Sequence, residues 1–191
     1  GGLTLASVQD DAPYTYAGAN GKSVNNYDRR YRGFTTLREA ITDSINIVTV
    51  KTLAQAGVSL GWQYVQEYGF TTVDSRDMNE ALALGGITQG VSNLELTAAY
   101  AAIANQGTYI RPKFYTKILD HDGNVLIDNT TPESHTVIKD TTAWLLTSAM
   151  EDVMTSGTGT SAYFGSSMAQ AGKSGTTTSS RDALFAGYTP Y

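Results

Sequence analysis

The 191-residue chain has no cysteine, two histidines, four prolines and a deficit of positive charge, with thirteen Lys+Arg against eighteen Asp+Glu. The missing thiols exclude disulfides, thiolate metal sites and cysteine nucleophiles. Two histidines make a multi-histidine metal centre a poor reading. A formal charge of −5 repels nucleic acid and anionic membrane surfaces, so no nucleic-acid partner is expected. Long apolar runs are also absent. The quietest stretch, Leu96 to Ala104, is far short of the roughly 18 residues that span a bilayer and belongs to an amphipathic pattern, so the chain reads as soluble. Gly1 to Leu5 has neither the basic start nor the apolar core of a signal peptide. Any hydrolase or transferase chemistry must then rest on Ser, Thr, Lys, Asp, Glu or Tyr, and no cofactor is implied.

What is present is 41% hydrophobic residues and 19 glycines, enough for one core and one domain over residues 1–191. Residues 1 to 34 lack periodicity and read as an irregular surface segment, with turns at Gly18-Ala19-Asn20-Gly21 and Tyr27-Asp28-Arg29-Arg30-Tyr31. A helical pattern starts at Thr35-Thr36-Leu37, breaks at Asp43-Ser44-Ile45-Asn46 and resumes through Val48, Val50, Leu53 and Ala54 to Gly57. Ser44 and Asn46 are therefore placed at a junction between helices. Ser92-Asn93-Leu94-Glu95 is a capping box that opens a helix closed by Gly107. Lys113 to Ile127 reads as a hairpin around His121-Asp122-Gly123, Asp-Gly supplying positive φ angles. Asp140 can cap a helix that stops at Ser156-Gly157. Met168–Thr178 and Ala183–Tyr188 form two strands paired across Ser179-Ser180-Arg181-Asp182. With no internal repeat and no linker, the class is α+β, an antiparallel sheet packed with helices.

Several short motifs carry little. Gly172-Lys173-Ser174 lacks the glycine that a phosphate loop requires five places before its second glycine, because Ser167 stands there, and the following residues favour a strand. Gly21-Lys22-Ser23 fails the same spacing and reads as a solvated turn. His121 and His135 read as a hydrated turn and a surface loop, which turns any serine chemistry away from a histidine triad and toward a lysine. Lys173-Ser174-Gly175-Thr176-Thr177 is more pointed. A strand glycine lets a ligand approach the backbone, and two hydroxyls beside main-chain N–H groups and an ammonium suit a carboxylate and a developing oxyanion. Strand alternation sets Ser174 and Thr176 on one face and Lys173 and Gly175 on the other. An edge strand with a solubilising lysine is the plain structural reading of the same residues.

Ser44-Ile45-Asn46 and Lys173-Ser174-Gly175-Thr176, 129 residues apart, resemble in order the S-x-N and K-[ST]-G-T motifs of penicillin-binding proteins and serine β-lactamases. Further landmarks resemble the transpeptidase domain of bifunctional, class A penicillin-binding proteins over nearly the whole chain. They are Tyr31-Arg32-Gly33 with Thr36-Leu37-Arg38-Glu39-Ala40, Leu82-Ala83-Leu84-Gly85-Gly86 with Gln89-Gly90-Val91, Ala98-Ala99-Tyr100, Ala104-Asn105-Gln106-Gly107, the Asp122-Gly123 turn and Asp182 to Pro190.

The resemblance implies a partial penicillin-binding-protein or serine β-lactamase-like fold and acyl transfer from D-Ala-D-Ala stem peptides, with β-lactams acylating the same serine. It assigns a proton relay to Ser44, tuning of that relay to Lys173, and half of an oxyanion hole to the Thr176 N–H. Substrate binding falls to Asn46, Ser174, Gly175, Thr176 and Thr177. No serine is followed three places later by lysine; Thr136-Val137-Ile138-Lys139 is the nearest miss. The chain is therefore expected to be a fragment, inactive alone, carrying two of three active-site walls. The implied parent is membrane-anchored at the extracytoplasmic face, joined to a glycosyltransferase domain, and binds peptidoglycan stem peptides and β-lactams. A non-catalytic penicillin sensor or scaffold-like module is the alternative.

Overall fold

The computed structural model describes residues 2–17, 22–177 and 181–190. Its first strand, β1 (Val8–Asp11), is followed by a short antiparallel pair, β2 (Tyr14–Thr15) and β3 (Ser23–Val24), and then by β4 (Gly33–Thr36), which returns antiparallel along β1 with Val8 opposite Thr36. The irregular surface segment expected for residues 1–34 is thus corrected. Its strands show no apolar alternation because key buried positions are polar: Asp11 is fully buried and Asn26 nearly so, beside Val24. Such groups are kept inside only when hydrogen-bonded. The turn expected at Gly18-Ala19-Asn20-Gly21 lies outside the described residues.

Helix α1 (Leu37–Thr42) opens on a reciprocal cap, Thr36 accepting from Glu39 N and Glu39 accepting from Thr36 N. The chain turns at Asp43-Ser44 into α2 (Asn46–Ala56), bends at Gly57, whose φ of 104° favours glycine, and continues as α3 (Val58–Glu67). Ile45 and Val48 pack on Ala40 and Leu37, while Ile47 and Val50, on the opposite side of α2, pack on Val24, Tyr14 and Tyr16. Because α2 is buried on both sides, it is the fixed post of this half of the molecule. Helix α3 was not anticipated; none of its residues is fully buried.

Helix α4 (Asn93–Ala104) has the expected Ser92/Glu95 capping box. Strand β5 (Thr108–Ile110) follows, then the hairpin β6 (Lys117–Leu119) and β7 (Val125–Asp128), and β8 (Ser134–Thr136), which pairs with β5. In the β6–β7 turn Gly123 alone takes a positive φ, 86°, so the expectation that Asp122 shares it is corrected. His135, expected in a loop, sits on β8 with Nε2 2.8 Å from Glu67 O and its ring against Tyr109.

Helix α5 (Asp140–Thr155) begins one residue after its cap position, Lys139; Asp140 is its first helical residue and does not cap it, contrary to expectation. Its carboxylate still sits in the first turn, where the helix dipole favours negative charge. Strands β9 (Ala171–Thr176) and β10 (Ala183–Tyr188) form the expected antiparallel hairpin, in register from Ala171 opposite Tyr188 to Thr176 opposite Ala183. Residues 178–180 of its turn lie outside the described residues. Strand β9 packs along α5, and α5 is tied to α1 by Arg38, which donates to Asp152 Oδ2 at 2.6 Å and to Ser148 O at 3.3 Å. That chain of contacts carries β9 to the α1–α2 junction. The architecture is α+β, with its strands in antiparallel pairs.

Candidate active site

At the α1–α2 junction, Ile45 is driven inward, 1% exposed, with its N–H bonded to Ala40 O at 2.9 Å. The residue before it must reverse the chain in one step. Ser44 does so at φ 57°, a left-handed conformation that costs a residue with a Cβ roughly 1 kcal/mol. The reversal turns the Ser44 hydroxyl out of the core toward β9.

From β9, the Lys173 ammonium donates to Ser44 Oγ at 2.9 Å and to Ser174 O at 3.1 Å. The half-buried position pushes the lysine below its ordinary value of 10.5, and burial is the sole cause. The two segments that stood 129 residues apart in the chain therefore meet directly.

The rest of β9 is arranged by its ladder. Thr177 N donates to Asp182 O at 3.0 Å, which makes that opposed pair a hydrogen-bonded one. Antiparallel pairs alternate, so Thr176 opposite Ala183 is a non-bonded pair and its N–H points away from β10. Thr176 and Gly175 are exposed, and a Cβ built on Gly175 meets nothing within 4 Å, so the backbone is open to a ligand there. The Ser174 hydroxyl donates to Thr158 Oγ1 at 3.4 Å. The Thr177 hydroxyl faces the hairpin turn, accepting from Asp182 N at 2.8 Å and donating to its carboxylate at 3.2 Å. Asn46 begins α2, and its Nδ2 donates to Asn25 O at 2.8 Å, on the side of the loop before β4.

Thr158 escaped the sequence reading. It lies between α5 and β9, its N–H bonded to Thr42 O at 3.2 Å, where a Cβ on Gly157 would lie 2.2 Å from the same oxygen. The available signal was Gly157-Thr158-Gly159, two glycines that flank a hydroxyl between α5 and β9. Neither histidine joins the cluster: His121 is 89% exposed beside Asp122, and His135 belongs to β8. The arrangement places a hydroxyl against a partly desolvated ammonium, beside further hydroxyls and an outward backbone N–H. Those groups can bind a carboxylate, hold an oxyanion and pass a proton.

The family model described as penicillin binding protein transpeptidase domain matches residues 1–191. Penicillin-binding protein 1F of Bacillus subtilis (strain 168) is 40% identical over 171 residues, 86% of this chain, and penicillin-binding protein 1A of Clostridium novyi (strain NT) is 32% identical over 98% of it. The chain spans 23% of the length of each of these relatives. Among solved structures, penicillin-binding protein 1A from Haemophilus influenzae superposes with a TM-score of 0.85 at 27% identity, covering 98% of this chain and 33% of that one. Penicillin-binding protein A from M. tuberculosis, at 18% identity and covering 99% of this chain and 47% of that one, shares the fold with a TM-score of 0.84. The chain thus belongs to the penicillin-binding protein transpeptidase domain family, among the class A penicillin-binding proteins.

Proposed function

We propose that this chain supplies two walls of a D,D-transpeptidase site that cross-links peptidoglycan, with the nucleophilic serine provided by a part of the natural protein outside these 191 residues. The observation that carries the reading is the 2.9 Å bond from Lys173 Nζ to Ser44 Oγ, which joins the two motifs into one polar surface. Ser174 and Thr176 hydroxyls bind the terminal carboxylate of a D-Ala-D-Ala stem peptide, with the Lys173 charge behind them. Asn46 holds the substrate amide, and Gly175 and Thr177 line the strand along which the peptide lies.

In the acylation step a serine Oγ attacks the penultimate D-Ala carbonyl, and the Thr176 N–H takes the developing oxyanion. The C–N bond then breaks. The Ser44 hydroxyl gives its proton to the departing nitrogen and takes in its place the proton that the attacking serine loses, with the Lys173 ammonium bonded to its Oγ, so the terminal D-Ala leaves as a free amine. An amine from a neighbouring strand then takes the acyl group and restores the serine. β-Lactams enter the same cycle and stop at the acyl stage. The chain by itself lacks the nucleophile and is inactive. Its 191 residues are one partial domain of a protein anchored at the extracytoplasmic membrane face and joined to a glycosyltransferase domain; no helix among the described residues is long and apolar enough to cross a membrane.

Intact-mass spectrometry after incubation with a β-lactam tests this. The 191-residue chain is expected to gain nothing and the natural protein carrying it one drug mass. Absence of an adduct on both favours a non-catalytic sensor or scaffold instead.

A further inference from the structure

Helix α2 starts without a cap of its own, because Ile45 at the cap position has no oxygen to accept an orphan N–H. The acceptor comes from 21 residues upstream, where Asn26 Oδ1 takes the Ile47 N–H at 3.2 Å. The Asn26 amide nitrogen donates to both Asp11 oxygens, at 2.8 and 3.0 Å, and to Arg30 O at 2.8 Å. Asp11 also accepts from Arg32 N at 2.9 Å. Beside this unit, Asn25 O holds the Asn46 side chain at 2.8 Å.

Both polar side chains are inside the protein, Asp11 at 0% and Asn26 at 3% exposure, and the nearest cation, the Arg32 guanidinium, stands 3.9 Å away. Burying a carboxylate so weakly paired is costly for stability. The geometry explains what it does. An ionised carboxylate can only accept, so it forces Asn26 to turn its NH2 group inward, and that fixes the amide oxygen on the Ile47 N–H. An apolar residue at position 11 would remove two of the three acceptors of the amide nitrogen, leaving Arg30 O alone to hold the orientation that caps α2.

We infer that Asp11 and Asn26 are positioning residues for the Ser44-Ile45-Asn46 segment: the carboxylate sets the amide, the amide caps α2, and the cap holds Ser44 and Asn46 at fixed distance from Lys173. This rests on the reading that Ser44 and Asn46 serve acyl transfer. Displacing catalytic groups by about 1 Å can cost up to about a hundredfold in rate.

The test uses the natural protein that carries this chain, with stopped-flow acylation by a fluorescent penicillin measured equally far below each variant's melting midpoint. Asn26→Ala is expected to lower the acylation constant about tenfold more than Ala102→Gly, which disturbs the distant buried face of α4. Asn26→Asp alone sets two carboxylates face to face and should lose at least as much. The swap Asp11→Asn with Asn26→Asp keeps an oxygen on the Ile47 N–H and a donor facing a carboxylate, but loses the donor to Arg30 O, and should therefore recover part of what Asn26→Asp alone loses. Should Asn26→Ala fail to fold, the single and swapped variants decide alone. Equal loss in Asn26→Ala and Ala102→Gly, or no recovery in the swap, overturns the inference while leaving the site reading intact. Unchanged penicillin capture by both Ser44→Ala and Lys173→Met removes the site reading, and this inference with it.

Discussion

Lys173 and Ser44 are 129 residues apart in the chain and joined by a 2.9 Å hydrogen bond in which the ammonium donates to the hydroxyl. The contact places a cation in a half-buried position where burial lowers its pKa from the ordinary 10.5. Between the lowered value and 10.5 the unfolded chain binds more protons than the folded one, so stability rises with pH across that window. Over the same window the site loses its positive charge. NMR titration of the lysine side chains should show one midpoint below 10.5 that vanishes in Lys173→Met, and the rise in stability should vanish with it. A Lys173 signal titrating with the surface lysines would show that the site does not hold the ammonium as described.

The φ of 57° at Ser44 leads to a second expectation. Ser44→Ala and Ser44→Gly both remove the hydroxyl that Lys173 meets, but only glycine accepts the left-handed backbone without strain. The glycine variant should be the more stable of the two by about 1 kcal/mol in urea unfolding, and both should lose acylation in the natural protein. An alanine variant as stable as the glycine one would mean the turn stores no strain.

What could be read from the amino acids follows the range of the forces involved. The cap of α4 at Ser92/Glu95, the glycine of the β6–β7 turn and the β9–β10 hairpin are set by neighbours within a few residues, and all were legible. The N-terminal strands were not, because Asp11 and Asn26 are buried polar residues whose partners lie 15 and 21 positions away, and a polar letter gives no period. His135 was read as loop because its strand is short and exposed on both faces. In the candidate site, the Ser44-Ile45-Asn46 and Lys173 motifs could be picked out through their resemblance to family motifs, whereas the contact between Lys173 and Ser44 needed the fold. Thr158 was not, because its place depends on a loop docking against Thr42, a contact between distant segments.

Glu95 closes the α4 cap and also ties down the preceding loop. Its carboxylate accepts from Ser92 N and Oγ at 2.9 and 2.8 Å and from Thr71 N and Oγ1 at 2.9 and 2.7 Å, and these bonds hold it at about 2. A folded value below the unfolded one gives stability that is fully present above about 4.5 and fades as pH falls toward 2. Glu95→Gln should therefore cost about 1–2 kcal/mol at neutral pH and flatten the acid limb of the stability profile. Parallel urea titrations at neutral and acid pH measure both. An unchanged acid limb would place the acid sensitivity in other carboxylates.

Gly157 is the position where packing and site are most tightly coupled. Its backbone needs no glycine for conformational reasons, since its φ is not positive, but a Cβ there would stand 2.2 Å from Thr42 O and 2.9 Å from Thr42 C, atoms of main chain that cannot swing aside. Gly157→Ala must lift the segment off the end of α1, breaking the 3.2 Å bond from Thr158 N to Thr42 O and drawing Thr158 away from Ser174. Overpacking of this kind costs about 1–3 kcal/mol. Gly159→Ala is the milder comparison: its Cβ would meet the Met154 sulfur at 3.0 Å, the end of a flexible side chain that can yield, and Val153 O at 3.1 Å, a tight contact but longer than the 2.2 Å one at 157. The expected result is a larger loss of stability at 157 than at 159, and a loss of penicillin acylation in the natural protein at 157 that exceeds the shift in melting. If the two alanine variants behave alike, the docking of Thr158 on Thr42 does not govern how β9 meets the Ser44 turn.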